Sequence, residues 1–354
     1  MRPLTATIDT AALAHNLGVA RAHAGAARIL AVVKADAYGH GLDRVLPALG
    51  AADGLALIEI DTAVRLRDAG YAKKLVLLEG LFEPAELDAA HRCGLSLVVH
   101  CEEQLRMLDA APAGARFEIL FKLNTGMNRL GFPLAQAAGA LARLRAHRAV
   151  RDVGLMTHFA AADEARGIAF QFDVFSRFAA DHALRCTLAN SAALLRYPQA
   201  HADWVRPGIM LYGCSPFAET PAADFGLKPV MTLASRVIAV QELRAGDSVG
   251  YGNAFAAPHA MRIGVVACGY ADGYPRHAPT GTPLLVAGRR TRTVGRVAMD
   301  LICCDLTGLP AAATGAPVTL WGAGLSADEV ATAAGTVSYE LLCALAPRVQ
   351  VAVR

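Results

Sequence analysis

Arg28-Ile29-Leu30-Ala31-Val32-Val33-Lys34-Ala35-Asp36-Ala37-Tyr38-Gly39-His40-Gly41 changes character half-way along. Its first half is apolar and β-branched, as in a strand buried on both faces. It ends on a lysine, followed by an aromatic hydroxyl and two glycines. Taking an ammonium group out of water disfavours its charged form. A lysine at a buried strand end is therefore a candidate amine nucleophile, able to form a Schiff base with a carbonyl compound. A strand-end lysine that snorkels to solvent is the commoner case. Two features count against it here. Arginine carries most of the positive charge, since only five of the 34 basic residues are lysine. And Tyr38-Gly39-His40-Gly41 offers a loop that a ligand can approach closely.

Beyond this stretch the sequence alternates. Strand-like runs are expected at residues 54–58, 74–79, 95–100, 117–123, 153–159, 186–189 and 205–212, with helical spacing between them. A short strand at residues 5–8 precedes a helix that Asp9 or Thr10 can cap and that runs to about Ala24. Pro84 and Pro133 sit near helix starts, where a missing N–H costs little. Counting the lysine strand gives eight apolar strands alternating with helices, which implies a parallel sheet. Eight units suit a closed (β/α)8 barrel, a TIM-like architecture whose sites gather at the C-terminal strand ends. An open doubly wound sheet fits less well, because no Gly-x-Gly-x-x-Gly turn follows an early strand.

On that frame Lys34 ends strand one, and Lys122, Asn124 and Arg129 surround the end of strand five. His158 ends strand six, Asn190-Ser191 end strand seven and Arg206 lies at strand eight. Each alone reads as structural: a lone histidine is usually a satisfied core residue, and an arginine a surface charge. Their agreement on one rim marks a site.

Near Phe225-Gly226-Leu227-Lys228-Pro229 the helical spacing fades. β-branched runs follow at residues 231–240, 262–267, 282–286, 291–297, 301–306 and 318–321, with one helix at 327–334. The expected division is a barrel over 9–225 and a mostly β domain over 1–8 and 226–354. In the second part a tyrosine between glycines, Tyr251, stands out, as do Met299-Asp300 and Tyr339-Glu340. Gly269-Tyr270-Ala271-Asp272-Gly273 has no derived role.

With 54% hydrophobic and 18% charged residues, 354 residues supply ample core for two domains. A formal net charge of +3 with interspersed signs, and no basic run, argue against nucleic acid. No apolar run reaches the roughly 18 residues of a membrane helix, and the N-terminus lacks a signal-peptide core. Eight cysteines without Cys-x-x-Cys or zinc spacing read as buried free thiols in a reducing cytoplasm.

The lysine stretch resembles the pyridoxal-phosphate lysine motif of alanine racemases. Eight further segments follow in that family's order: Thr125-Gly126-Met127-Asn128-Arg129-Leu130-Gly131, Thr157-His158-Phe159-Ala160, Ala189-Asn190-Ser191-Ala192, Arg206-Pro207-Gly208-Ile209-Met210-Leu211-Tyr212-Gly213, Gly250-Tyr251-Gly252, Gly269–Gly273, Val297-Ala298-Met299-Asp300 and Tyr339-Glu340. The resemblance spans essentially the whole chain. It implies a barrel joined to a β domain in a head-to-tail homodimer, racemising alanine with pyridoxal 5'-phosphate. Lys34 would carry the cofactor and act as base on one face of Cα, with Tyr251 of the partner subunit on the other. Arg129 would contact the cofactor's phenolic oxygen and the substrate carboxylate. His158 would pack by the ring, Asn190 would lie beside the cofactor, and Met299 and Asp300 of the partner subunit would meet the carboxylate. Tyr38, Ser191, Gly208, Ile209 and Tyr339 would hold the phosphate. Such a dianion prefers backbone N–H groups and hydroxyls, and Pro207-Gly208 lets the backbone come near. Arg206 can donate to the pyridine nitrogen, and its permanent charge keeps that nitrogen unprotonated. That favours return of a proton at Cα over transamination. Lys122 matches a lysine that some members carry carbamylated. Asn124 departs from a position that often holds aspartate, so local charge there is lower by one.

The nearest rival reading is a broader amino-acid racemase on the same fold, acting on serine or larger substrates and set apart by pocket width; two others are weaker. A fold-related basic amino-acid decarboxylase requires a glycine-triplet phosphate loop and a partner-supplied cysteine beside an acid, and neither is found. A non-enzymatic single barrel would have no use for the second domain or Tyr251.

Overall fold

In the computed structural model, which describes residues 2–354, the chain divides into two compact units. One holds Leu17–Ala35 and Leu49–Leu211; the other holds the chain up to Asn16, Asp36–Ala48 and Tyr212–Arg354. No helix of the described residues is long and apolar enough to cross a membrane.

The first unit is a closed parallel barrel. Its strands are β2 (Arg28–Val32), β3 (Gly54–Leu57), β4 (Lys74–Leu77), β5 (Ser96–Val99), β6 (Phe117–Lys122), β7 (Val150–Met156), β8 (Cys186–Thr187) and β9 (Trp204–Val205); β1 (Thr5–Ile8) precedes them in the other unit. The ring closes where Arg28 and Ile29 pair with Trp204 and Val205. Ile29, Leu55, Leu75, Val76, Val98 and Ile119 have essentially no exposed surface. This explains the unbroken apolar runs: a strand sealed on both faces has no polar alternation.

Several expected boundaries move, and three of the differences bear on the barrel rim. The run at 205–212 yields a two-residue strand, then a 3-10 turn at Ile209–Tyr212. Pro207 interrupts the ladder, and a fully buried apolar run looks the same as strand or helix. The strand placed at 153–159 starts and ends three residues earlier. And Tyr38-Gly39-His40-Gly41 is no open loop. Residues Lys34–Gly39 form a left-handed helical turn, with φ between 51° and 55° from Ala35 to Tyr38 and 76° at Gly39.

That conformation is costly for residues with a Cβ. Local bonds hold it. The Asp36 carboxylate accepts the Leu42 N–H at 2.8 Å, and the Asp36 carbonyl accepts the Gly41 N–H at 3.0 Å. His40 is fully buried, with Nδ1 2.9 Å from the Tyr38 carbonyl and 3.0 Å from that of Ala37, so it donates there. Burial lowers its pKa to about 4 and keeps it neutral. Gly39 is required: a Cβ would fall 2.1 Å from the Leu342 carbonyl oxygen.

The second unit is an eight-stranded sheet in the order β13-β16-β15-β14-β17-β10-β1-β18. Its remaining strands are β10 (Met231–Leu243), β13 (Met261–Val266), β14 (Pro283–Val286), β15 (Arg289–Val294), β16 (Ile302–Asp305), β17 (Pro317–Trp321) and β18 (Gln350–Val353); β11 (Ser248–Val249) and β12 (Phe255–Ala256) form a separate hairpin. The long β10 pairs with β1 and β17 along its first half and with β13 along its second, turning the sheet back on itself. β1 thus joins this unit, antiparallel to β10 and parallel to β18. The helix Ala327–Ala334 lies where expected, capped by Ser326. None of the eight cysteines forms a disulfide, but Cys343 is exposed and only Cys214, Cys268 and Cys304 are buried.

The unassigned Gly269–Gly273 segment has a structural role. The Asp272 carboxylate, wholly buried, accepts from Arg2, Arg348 and the Gly269 N–H. Ala271 N–H donates to the Met299 carbonyl and Tyr270 N–H to that of Ala298, so this turn sets the Ala298–Asp300 segment. Burial would raise the Asp272 pKa, but Arg2, the Gly269 N–H and Arg348 outweigh it and hold the carboxyl below its usual value. Its stabilisation is complete above the usual carboxylate range and is lost as pH falls through the depressed value. Asp272→Asn therefore costs about 1–3 kcal/mol. In calorimetry, the parent Tm falls on acidification below about pH 4 and the variant's falls less steeply.

Candidate active site

The polar residues of the first unit gather at the C-terminal strand ends. Lys34 lies just past β2 and is half-buried; Lys122 is the last residue of β6 and is buried. His158 follows β7, and Arg206 follows β9 with 3% of its surface exposed. Arg129 is exposed on the segment after β6. These groups feel one another. Burial pulls the Lys122 pKa down to about 8, reinforced by Arg206, Arg129 and Lys34 and opposed by Glu79. Burial, then Arg206, Lys122, Arg129 and Lys34, push His158 well below its ordinary value, so it stays neutral. Four cations thus converge with Glu79 as the opposing charge, an arrangement suited to an anionic ligand.

Four hydrogen bonds fix Arg206. Its Nη1 donates to Thr187 Oγ1 at 2.7 Å, and Nη2 to the Thr157 carbonyl at 2.8 Å, the Leu188 carbonyl at 3.1 Å and His158 Nδ1 at 3.3 Å. His158 therefore accepts at Nδ1, and its N–H is on Nε2. The Nε–H of Arg206 has no protein acceptor among the described residues. Burial lowers the guanidinium pKa to about 10, which leaves it charged at neutral pH.

Asn190 and Ser191 open the helix Ser191–Arg196. Asn190 Oδ1 caps it by accepting the Ala193 N–H at 2.9 Å. Ser191 Oγ accepts the Gly208 N–H at 2.9 Å, tying this helix to the turn before Ile209. Asn124 shapes the loop after β6. Its Oδ1 accepts the Gly126 and Asn128 N–H groups, each at 3.1 Å, and its Nδ2 donates to Asn128 Oδ1 at 3.0 Å. Asparagine or aspartate can accept these N–H groups, so the departure at 124 changes charge and adds the Nδ2–H donation to Asn128.

In the second unit Tyr38 is buried and stacks on Tyr212 with ring centroids 4.6 Å apart; Tyr339, on the helix Ser338–Cys343, lies 6.0 Å away at a tilt. Tyr251 begins a 3-10 turn between Gly250 and Gly252, both with positive φ. It is 70% exposed, and its hydroxyl has no partner among the described residues. Met299 is 52% exposed. Asp300 accepts from Arg348 at 2.6 Å, and its carbonyl from Arg2 at 2.7 Å.

Family models described as "Alanine racemase, N-terminal domain" and "Alanine racemase, C-terminal domain" match residues 8–216 and 230–353. The chain belongs to the alanine racemase family. It is 57% identical over 352 residues to the alanine racemase of Nitrosospira multiformis, covering 99% of each chain. It is 55% identical to that of Nitrosomonas europaea, covering 99% of this chain and 98% of the relative. The crystal structure of the biosynthetic alanine racemase from Pseudomonas aeruginosa superposes with a TM-score of 0.96 at 47% identity over all of both chains.

Within the family's barrel rim the sequence reading overlooked Thr187 and Gln171. Thr187 is wholly buried and holds Arg206. Gln171 donates to Thr125 and to the His158 carbonyl and accepts from the Ala160 N–H. The sequence signal for Thr187 is faint: one hydroxyl at the end of an apolar strand, where unsatisfied polarity is costly.

Proposed function

We propose that this member of the alanine racemase family, an isomerase, interconverts L- and D-alanine with pyridoxal 5'-phosphate held at the barrel rim. The observation that carries the reading is Arg206: a buried guanidinium fixed by four hydrogen bonds, whose Nε–H has no protein acceptor among the described residues, beside other cations. The donor set suits the cofactor: the Ser191 hydroxyl, whose oxygen accepts the Gly208 N–H and whose own proton is left to donate, and the Ile209 N–H suit a phosphate, and Arg206 is a charged donor for a ring nitrogen. When bound, the cofactor supplies the electron sink that acidifies the Cα hydrogen of the amino acid.

The chain's own groups do the rest. Lys34 holds the cofactor covalently and moves a proton at one face of Cα. Tyr251 of the partner subunit serves the other face, since inversion requires removal on one side and delivery on the other. Its exposure in its own unit supports this role. Arg129 receives the carboxylate, and so does the main-chain N–H of the partner subunit's Met299, with Asp300 of the partner subunit beside it. Tyr38 and Tyr339 complete the phosphate cradle, and Asn190 fixes the helix that carries Ser191. Arg206 donates to the ring nitrogen and keeps it unprotonated, while His158 orients Arg206. With a pKa of about 8, Lys122 offers enough neutral amine at physiological pH to take up carbon dioxide. The carbamate would place an anion opposite Arg129, where Asn124 provides none. We place the active enzyme in the cytoplasm as a homodimer supplying D-alanine for peptidoglycan. The Pseudomonas aeruginosa relative is described as biosynthetic.

Proton NMR of L-alanine in heavy water, with the purified enzyme and its cofactor, tests the assignment. The Cα–H signal should vanish while D-alanine appears in a chiral assay. Alanine that neither exchanges nor inverts would overturn it.

A further inference from the structure

The far end of the barrel carries a second concentration of charge that the rim chemistry does not use. There residues at the strand starts, Arg28, Lys74, Arg151 and Trp204 among them, line an open basin of about 420 Å³. Its walls hold seven lysine and arginine side chains and two carboxylates, Asp53 and Glu118. That is an excess of five positive charges at one place in a chain whose formal net charge is +3.

The acids present are already engaged. Glu118 accepts from Lys74 at 2.5 Å and from Ser96 at 3.2 Å, with Arg185 at 3.9 Å. Asp53 pairs with Arg21 and accepts the Ile29 N–H. Arg185 also pairs with Asp152. Arg116 and Arg151 have no carboxylate partner among the described residues. Arg28 meets only the Trp204 face at 5.3 Å, which Lys74 shares at 5.4 Å. Burial, then Arg185 and Arg151, press on the Lys74 ammonium against the pull of Glu118. With both cations over it, the Trp204 face is no platform for an aromatic ring. What the basin lacks is negative charge, several units of it, in a compact body.

We propose that the N-terminal mouth of the barrel is a binding site for a small polyanion bearing two or more phosphate or carboxylate groups. Arg116 and Arg151 act as its unpaired clamps, and Lys74, Arg185 and Arg28 complete the positive wall. Multidentate guanidinium contacts suit both headgroup chemistries. The site lies at the opposite strand ends from Lys34, so its occupant stabilises the fold without touching the substrate.

Isothermal titration of the full-length holoenzyme with pyrophosphate and, separately, with citrate tests this, at fixed ionic strength against a chloride control. One saturable site per chain is expected, and the tighter of the two ligands tells phosphate from carboxylate preference. Arg116→Gln/Arg151→Gln should weaken that binding at least about tenfold. It should also abolish the ligand-induced rise in Tm and leave kcat and KM for alanine unchanged. Both side chains are exposed, so the variant should fold. Two outcomes would overturn the proposal. One is that neither anion binds beyond the chloride control. The other is that binding survives the double substitution and competes with alanine, which would place the anion at the catalytic rim.

Discussion

Lys34→Ala should lower alanine racemisation by at least about a thousandfold, because on the proposed reading it removes both the covalent anchor of the cofactor and one proton-transfer group. The residue sits where β2 hands over to the left-handed turn, and its ammonium faces a rim already rich in Arg206, Arg129 and Lys122. None of these replaces it: Arg206 is pinned by four hydrogen bonds, and an arginine is too weak an acid to exchange protons at neutral pH. The variant should still bind the cofactor, since Ser191 and the Gly208–Ile209 turn stay in place. Absorbance should then show cofactor present but not lysine-linked. Small primary amines added to the buffer should restore part of the rate. A variant keeping a tenth of the parent kcat would show that the lysine role lies elsewhere, with Lys122 the first alternative to test.

Tyr251→Phe should slow inversion by about a hundred- to a thousandfold, within the usual contribution of one positioned acid–base group. The signature matters more than the size. Solvent deuterium should still enter Cα of one enantiomer through Lys34, while conversion to the other enantiomer nearly stops. The ring survives the substitution and the hydroxyl has no partner in its own unit, so stability should barely change. Mixing this variant with Lys34→Ala provides a further check. In mixed dimers one site collects both defects and the other neither, so activity should reappear in a mixture of two inactive proteins. If Tyr251→Phe racemises at the parent rate, the two-base reading falls.

Much of this was legible in the residues. The buried strands announced themselves because both faces are covered and polar residues drop out; the rim announced itself because polar residues return at strand ends. Asp9 accepts the Ala12 N–H, as a capping residue should. Other features had no local signal. Little in Ala-Asp-Ala-Tyr marks a left-handed turn, since only the aspartate among them tolerates it readily; the conformation is held by Asp36, His40 and the packing of Tyr38 on Tyr212. Asp272 looked like a turn aspartate because its partners, Arg2 and Arg348, lie at opposite ends of the chain. Charge pairing across such distances leaves no periodicity to read. The basin at the far end of the barrel was equally hidden, its cations being spread over strand starts, a helix and the residues just before strands.

The left-handed turn inverts the usual scale of helix formers. In an ordinary helix alanine is the most comfortable residue and glycine among the least. Between Ala35 and Tyr38 the order is reversed, and at about 1–2 kcal/mol for each residue with a Cβ the segment holds a strain of the same order as the stability of a small domain. Four glycines would sit there at ease, and slackly. With side chains instead, the turn behaves as a wound spring clamped at its far end by His40 and Tyr38, and the lysine mounted on it is held by tension. A tether that is already taut has little freedom left to lose when a ligand arrives.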